Sequence, residues 1–219
     1  ILHATEEEIN RSKIEILSGL MRLRQICDTP KLFMDDYDGE SGKLESLREL
    51  LEQIQGGNHR VLIFSQFRGM LDIIEEELGH MGLESFKITG STPAKDRQEM
   101  TKAFNQGERS AFLISLKAGG VGLNLTGADT VILVDLWWNP AVEAQAIGRA
   151  HRIGQERNVE VYRMITRGTI EEKIQELQET KRNLVSTILD GAESRSSLSL
   201  EEIREILGIS SESLEKKFE

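Results

Sequence analysis

The spacing of apolar residues along the chain changes character near residue 60. Before that point it is helical, because Leu17, Leu20 and Leu23 recur at three-residue intervals and a second leucine-rich stretch follows Ser41, a residue type typical of helix N-caps. From Arg60 onward, short apolar runs alternate with amphipathic stretches. The chain therefore begins with two helices and continues as alternating strands and helices.

The alternating region predicts one sheet with helices on both faces. Its predicted strands are RVLIFS, SFKI, AFLISL, DTVILVD and VEVYRMI, and the helices between and after them cover residues 70–81, 94–104, 140–151 and 170–189. Strands that are apolar on both faces and separated by helices indicate a parallel sheet, hence an α/β doubly wound fold whose ligands bind at the carboxyl ends of the strands. We predict three segments: helical residues 1–40, the sheet domain at 41–168, and a helical extension at 169–219.

Composition and charge narrow the class of protein. The chain has 219 residues, of which 38% are hydrophobic, which is enough to bury a core. Cys27 is the only cysteine, so no internal disulfide is possible and an intracellular fragment without a membrane segment is expected. The net charge of −10 argues against nucleic acid, but residues 1–59 and 169–219 each carry 7 basic and 12 acidic residues, whereas residues 60–168 carry 13 of each. The centre can therefore present a basic face.

A glycine-rich loop, KAGGVGLNLTGAD, follows the third predicted strand. Gly119, Gly120 and Gly122 let backbone amides approach an anion closely, and Lys117 and Asn124 add side-chain donors. The same glycines would also suit a tight connection between two strands, so the loop alone leaves both interpretations open.

Two arginines follow the fourth strand. Asn139 and Pro140 have the residue types of a helix N-cap and first helical position, so a helix is expected to start there. Gln145, Arg149 and Arg152 then fall at i, i+4 and i+7, which predicts one shared helix face. Two adjacent guanidiniums repel each other unless a multiply charged anion lies between them, and their planar geometry suits phosphate.

Plainer interpretations remain for this segment. The arginines could form surface ion pairs with Glu143 or Glu156. Of Trp137 and Trp138, one is expected in the core, and the other could be exposed for contact with a partner.

The nucleotide-binding motifs of a complete hydrolase are missing. No GxxxxGK[ST] motif is present, and ESGKL, with Gly42 and Lys43, lacks the first glycine and the final hydroxyl and follows no strand. No residues have metal-ligand spacing, so no metal site is expected.

Five ordered blocks carry a family resemblance: VLIFSQF (61–67), ITGST followed by Arg97 (88–97), LISLKAGGVGLNLTGADTVILVD (113–135), WWNP (137–140) and QAIGRAHRIGQ (145–155). In order and spacing they resemble the C-terminal half of the SWI/SNF-like DNA translocases, a branch of the superfamily-two helicases. The resemblance covers about residues 40–190. The short loops between VLIF and HRIGQ are typical of a bacterial or archaeal member.

The resemblance implies half of a motor. Family members have two RecA-like lobes, with ATP in the cleft between them and double-stranded DNA across both, and this chain resembles the second lobe. ATP and Mg²⁺ would be held mainly by the N-terminal lobe, which this chain lacks. Arg149 and Arg152 match the family's arginine fingers, and Gly122, Asn124 and Gln145 match segments that line the same cleft.

The resemblance also implies contacts with DNA phosphates. They carry over to Gln66, Arg68, Gly90, Ser91, Ser115, Lys117, Gly119, Gly120 and Trp138. One departure is Thr89, where many members have Asp, which weakens assignment to a subfamily. The implied partners are the N-terminal ATPase lobe, double-stranded DNA and a DNA-bound protein complex as remodelling target, with no membrane. The location would be the nucleoid in a prokaryote and the nucleus in a eukaryote.

The leading hypothesis is therefore the second lobe of an ATP-dependent translocase, inactive alone and an enzyme only within the full-length DNA-dependent ATPase. One alternative is a strand-separating helicase, against which WWNP and HRIGQ argue. The other is a non-catalytic scaffold that binds DNA or protein and docks through its acidic flanks.

Overall fold

The computed structural model describes residues 6–34, 36–116, 118, 122–187 and 198–207. The helices are α1 (Glu6–Asp28), α2 (Gly42–Gly56), α3 (Arg68–His80), α4 (Ala94–Asn105), α5 (Pro140–Ile147), α6 (Ile170–Thr187) and α7 (Leu200–Leu207), with a 3-10 turn at Pro30–Leu32. The strands are β1 (Val61–Ser65), β2 (Ser85–Ile88), β3 (Ala111–Ser115), β4 (Thr130–Leu133) and β5 (Glu160–Arg163). The predicted α2 begins as expected, since the Ser41 hydroxyl accepts from the amide of Leu44.

These strands form one parallel sheet in the order β2-β3-β1-β4-β5. In the central register, Val61 lies beside Ala111 on one side and Thr130 on the other. The predicted α/β doubly wound, RecA-like fold is confirmed. The two edge strands differ from the prediction that every strand is apolar on both faces, because β2 is only half-buried and β5 is largely exposed.

Alternate residues of the central strands enter two cores, one on each side of the sheet. Val61 and Ile63 pack on the side of α2 and α3, whereas Leu62 and Phe64 pack on the side of α4 and α5. This alternation follows from the two-residue period of a strand, and it places helices on both faces.

A third cluster joins the flanking helices to the sheet domain. Leu20 of α1, Ile174 of α6 and Ile203 of α7 pack together with Leu136 and Trp138, which follow β4. The predicted division at residues 41 and 168 stays a prediction, but apolar contacts cross both positions.

Candidate functional site

All five strands run in one direction, so the loops that follow them meet at one edge of the sheet. This carboxyl edge carries most of the residues that the resemblance selects. Six of those that the structure describes end or follow a strand at this edge: Gln66, Arg68, Gly90, Ser91, Ser115 and Trp138. Gly122 and Asn124 lie instead on the segment that returns to the start of β4, and Gln145, Arg149 and Arg152 lie on or after α5. Lys117, Gly119 and Gly120 lie outside the described residues.

The helix that was expected to carry both arginines ends before the first of them. Helix α5 ends at Ile147, and Gly148 caps it with its amide directed to the carbonyl of Ala144. Arg149 and Arg152 therefore lie on a tight turn after the helix, and the prediction of one helix face through Gln145 was wrong. At this point the backbone changes to three-residue hydrogen bonds, since the Arg149 amide donates to the Ala146 carbonyl at 3.2 Å.

On this turn the two guanidiniums occupy different environments. Arg149 is only 5% exposed, and burial, with a smaller contribution from the charge of Arg152, lowers the pKa of its guanidinium. Arg152 is exposed, donates from Nε to the carbonyl of Gly148 at 3.1 Å, and forms no ion pair with any residue that the structure describes. The two positive charges repel each other, and a multiply charged anion close to both would lower that repulsion.

Glu143, considered above as a surface partner of the two arginines, is buried and pairs with another residue. The carboxylate of Glu143 is fully buried and receives Nε of Arg163 at 3.1 Å and the amide of Trp137 at 3.2 Å. Glu143, within α5, is therefore a buried structural anchor rather than a surface partner of Arg152.

The side chain of Gln155 anchors the turn that carries Arg149 and Arg152, called the arginine turn below. Its Nε2 lies 3.1 Å from the carbonyl oxygen of Thr126, 2.7 Å from that of Ala128 and 3.2 Å from that of Ala150. In the same region the amide of Leu125 donates to the carbonyl of Arg149 at 2.9 Å. These bonds fix the arginine turn against the loop that ends the glycine-rich segment.

Gly122 and Asn124 lie on that loop, where both are exposed, while Leu123 between them points into the core. The carbonyl of Asn124 accepts Nδ2 of Asn105 at 2.8 Å, which ties the loop to α4. The two residues line an open cleft of about 470 Å³ beside that helix. Gln145 and Arg149 line a separate, smaller cleft together with Phe64 of β1.

Gln66, after β1, is held at both ends of its amide. Its Oε1 accepts from Arg24 at 2.8 Å, and its Nε2 donates to Asp135 at 2.7 Å. Gln66 is 7% exposed, whereas the neighbouring Arg68 is exposed. A phosphate contact by the Gln66 side chain stays a prediction, and while these two bonds are kept only the second hydrogen of Nε2 is left for it.

Gly90 and Ser91 form the outer half of a turn after β2. The amide of Thr92 closes the turn on the carbonyl of Thr89 at 3.2 Å, and both central residues are exposed. Ser115, at the end of β3, is by contrast 6% exposed. Of the predicted phosphate contacts, the turn after β2 and Arg68 are thus the most accessible in the structure.

The two tryptophans stack on each other with ring centroids 4.2 Å apart. Trp138 is 8% exposed and Trp137 is half-buried, so neither is an isolated surface residue. The guanidinium of Arg24 lies 5.0 Å from the Trp138 ring. A contact of Trp138 with DNA stays a prediction, and the residue more exposed to solvent is Trp137.

A buried cluster of charges was missed in the sequence. The ammonium of Lys43 lies 2.8 Å from Asp28 and 2.5 Å from Glu171, and Arg24 pairs with Asp135 at 3.7 Å. Burial raises the pKa of Asp28 well above its ordinary value and also raises the pKa of Asp135. The available signal was Arg24 and Asp28 on the apolar stripe of α1, because a charge in such a position needs a buried partner.

The described residues contain no group of three or more His, Cys, Asp or Glu that could hold a metal ion. Among those same residues, no helix is both long and apolar enough to cross a membrane.

Comparison with known proteins identifies relatives of this chain. Residues 42–154, just over half of the chain, match the family model described as the helicase conserved C-terminal domain. The chain is 42% identical over 214 residues to YwqA of Bacillus subtilis, and the match covers 95% of this chain and 23% of YwqA. It is 43% identical over 190 residues to the SWI/SNF-related matrix-associated actin-dependent regulator of chromatin subfamily A member 1 of Mus musculus, covering 81% of this chain and 18% of that protein.

Among solved structures, the SWI2/SNF2 ATPase core of Sulfolobus solfataricus in complex with double-stranded DNA matches with a TM-score of 0.69 and 35% identity, over 87% of this chain and 41% of that one. The chain therefore spans less than a quarter of the two relatives named above and less than half of this solved chain.

Proposed function

The chain belongs to the helicase conserved C-terminal domain family, is homologous to the SWI/SNF-family ATPases, and we propose that it is the second lobe of an ATP-driven translocase on double-stranded DNA. In this proposal it supplies arginine fingers and phosphate contacts. A preceding N-terminal lobe of the same polypeptide holds ATP and Mg²⁺, and the chain hydrolyses no ATP without it.

The single observation that carries the proposal is the anchored arginine turn. Arg149 and Arg152 lie close enough for the charge of Arg152 to lower the pKa of Arg149, and Gln155 fixes the turn that holds them. A site that keeps two cations together on a rigid support is suited to a multiply charged anion, because the anion relieves their repulsion. A triphosphate at the opposite lobe is such an anion.

The roles of the two arginines follow from their environments. Arg149 is buried and therefore held in place, whereas Arg152 is exposed and can reach across a cleft. Charge stabilisation of a transferring phosphoryl group by such a finger is worth roughly 10³ to 10⁵ in rate. Gly122, Asn124 and Gln145, which line two separate clefts on this lobe, are proposed to face the one cleft between the two lobes.

This lobe is not expected to cradle the phosphates itself. Lys43, in the sequence that partly resembles a P-loop, is committed to Asp28 and Glu171 and has a side chain only 2% exposed. Its ammonium is therefore not available to a nucleotide, which supports an incomplete ATP site in this chain.

DNA is proposed to lie along the carboxyl edge. The exposed groups there, Arg68 and the turn at Gly90 and Ser91, suit phosphate contacts that do not depend on base sequence. Closure and opening of the cleft would move these contacts relative to those of the other lobe. The remodelling target would be a DNA-bound protein complex, on the nucleoid of a prokaryote or in the nucleus of a eukaryote.

The test is ATP hydrolysis by the longest natural polypeptide that contains this chain, measured with and without duplex DNA. We expect DNA to stimulate the wild type, and Arg152→Ala to abolish the stimulated rate while DNA binding persists. The matched control is Arg48→Ala, which removes an exposed arginine of α2, on the opposite face of the sheet from α5, and is expected to leave the rate unchanged. The 219-residue chain alone is expected to show no hydrolysis above background.

Two outcomes contradict the proposal in different ways. If the full polypeptide hydrolyses no ATP with or without DNA, the lobe acts as a scaffold and its binding partners become the question. If Arg152→Ala retains the stimulated rate, the polypeptide is an ATPase but Arg152 is not its finger.

A further inference from the structure

The turn after β2 is folded around one guanidinium. Arg97, in the first turn of α4, donates from Nε to the carbonyl of Thr92 at 2.7 Å. Its Nη2 lies 3.2 Å from the carbonyl oxygen of Thr89 and 3.1 Å from that of Gly90. Three carbonyls of a four-residue turn thus point at a single side chain.

This arrangement determines where the amides of the turn point. In a trans peptide unit the C=O and N–H bonds are antiparallel, and the described chain contains no cis peptide bond. Because the carbonyls of Thr89 and Gly90 face Arg97, the N–H groups of Gly90 and Ser91 face away from it. Arg97 therefore turns two successive amides outward.

Those two amides have no acceptor within the part of the chain that the structure describes. The other amides of the turn are used internally, since Thr89 N donates to the Thr92 hydroxyl at 2.9 Å and Thr92 N donates to the Thr89 carbonyl. Nothing lies within 4 Å of the place where Gly90 would carry a Cβ, so a ligand can approach. Successive outward amides form a concave anion site.

A positive charge lies directly behind these amides. Arg97 is half-buried and forms no ion pair with any described residue, and its three partners are neutral carbonyls. At a separation below the Debye length of about 8 Å, salt screens such a charge only weakly from an anion on the turn. The hydroxyl of Thr89 lies 2.9 Å from the hydroxyl of Ser91, so Thr89 adds a polar group to the turn without adding negative charge.

We propose that Arg97 is the positioning residue of a phosphate grip for the DNA backbone. It shapes the turn so that Gly90 N, Ser91 N and the Ser91 hydroxyl face one phosphate, and it supplies the charge behind them. The inference rests on the proposed function, because it assigns this turn to the DNA that stimulates hydrolysis. Arg97 itself contacts the turn and not the DNA.

The experiment measures the DNA concentration that half-saturates ATP hydrolysis by the full-length polypeptide. Arg97→Gln is expected to raise it about tenfold, because hydrogen bonds from a charged donor are lost at three carbonyls. Arg97→Lys keeps the charge but not the planar geometry, and is expected to raise it about threefold. Changes in kcat at saturating DNA are expected to be smaller than these.

Two further measurements separate positioning from simple stabilisation of the fold. Arg97→Gln is expected to lower the dependence of log affinity on log salt by about one unit, which Arg97→Lys is not. Ser91→Ala is expected to weaken DNA binding about threefold in the wild type but much less in the Arg97→Gln background. The reason is that both substitutions disturb the same phosphate contact. Lys95→Gln, which removes an exposed charge from the same helix and leaves the turn intact, is expected to change affinity less than about twofold.

The inference is overturned if Arg97→Gln binds DNA within twofold of the wild type, or if it only lowers the unfolding temperature with an unchanged salt dependence. If Ser91→Ala weakens DNA binding and Arg97→Gln does not, the proposed function stands and the role of Arg97 fails. If DNA does not stimulate the wild type, both fail together.

Discussion

Replacement of Lys43 by Met tests the buried charge cluster. The side chain of Lys43 is 2% exposed, and the side chains of its partners Asp28 and Glu171 are 0% and 1% exposed. Met fills a similar volume but leaves both carboxylates without the cation between them. The variant therefore isolates the electrostatic loss from the loss of packing.

The cost follows from the burial of the partners. Breaking a buried ion pair by removal of one partner costs about 3–5 kcal/mol, since an uncompensated charge remains inside. That is a large share of the roughly 5–15 kcal/mol by which a domain is stable. For a domain of this size it corresponds to a fall in the unfolding temperature of about 6–20 °C.

The loss is expected to depend on pH. Burial raises the pKa of Asp28, the charge of Asp135 raises it further, and Lys43 opposes both, so the pKa rises again once Lys43 is replaced. The folded variant then holds a proton that the unfolded chain releases above about pH 4. Stability of the variant therefore falls as pH rises, and its deficit against the wild type is smaller at pH 5 than at pH 8.

The assay is urea unfolding of the 219-residue chain at pH 5 and pH 8. Lys173→Met is the matched control, because it breaks an exposed ion pair with Glu176 and is expected to leave the urea midpoint almost unchanged. Adding Asp28→Asn to Lys43→Met is expected to recover part of the loss. A cost for Lys43→Met no larger than that of the control, or one equal at both pH values, would refute the reasoning.

Two further predictions concern the arginine turn and the glycine-rich loop. Gln155→Ala removes the amide that bridges three carbonyls and is expected to lower kcat of DNA-stimulated hydrolysis about tenfold while DNA half-saturation changes less than threefold; the opposite pattern in steady-state kinetics would contradict an anchoring role. Lys117→Ala in the full polypeptide is expected to weaken DNA binding similarly for unrelated sequences and to lower the salt slope by up to about one unit, so a loss confined to one sequence in a binding titration would exclude a phosphate contact.

The central strands were predictable because each is a short, continuous apolar run between polar segments. The runs at Val61, Ala111 and Thr130 are buried throughout, and each is close to its predicted bounds. The order of the strands was not predicted, since pairing joins residues 26 to 69 positions apart. Local spacing carries no information about such pairs.

The end of α5 shows why a local pattern misplaced the arginines. A single Gly148 within an otherwise helical run is tolerated by many helices, so the pattern favoured continuation. The bonds that fix the turn instead come from Gln155 to Thr126 and Ala128, 29 and 27 residues away. Gln66 was likewise assigned to DNA from the resemblance, while Arg24, 42 residues away, holds its side chain.

The buried charges also determine how short a fragment of this protein can be and still fold stably. The match to the family model begins at residue 42 and ends at residue 154, so it retains Lys43 and Asp135 but leaves out Arg24, Asp28 and Glu171. A fragment trimmed to those limits would bury Lys43 and Asp135 without the partners that compensate them, or would have to expose them to water. The segment that the family model recognises is therefore smaller than the segment in which every charge of this buried cluster has its partner. That larger segment includes α1 and α6.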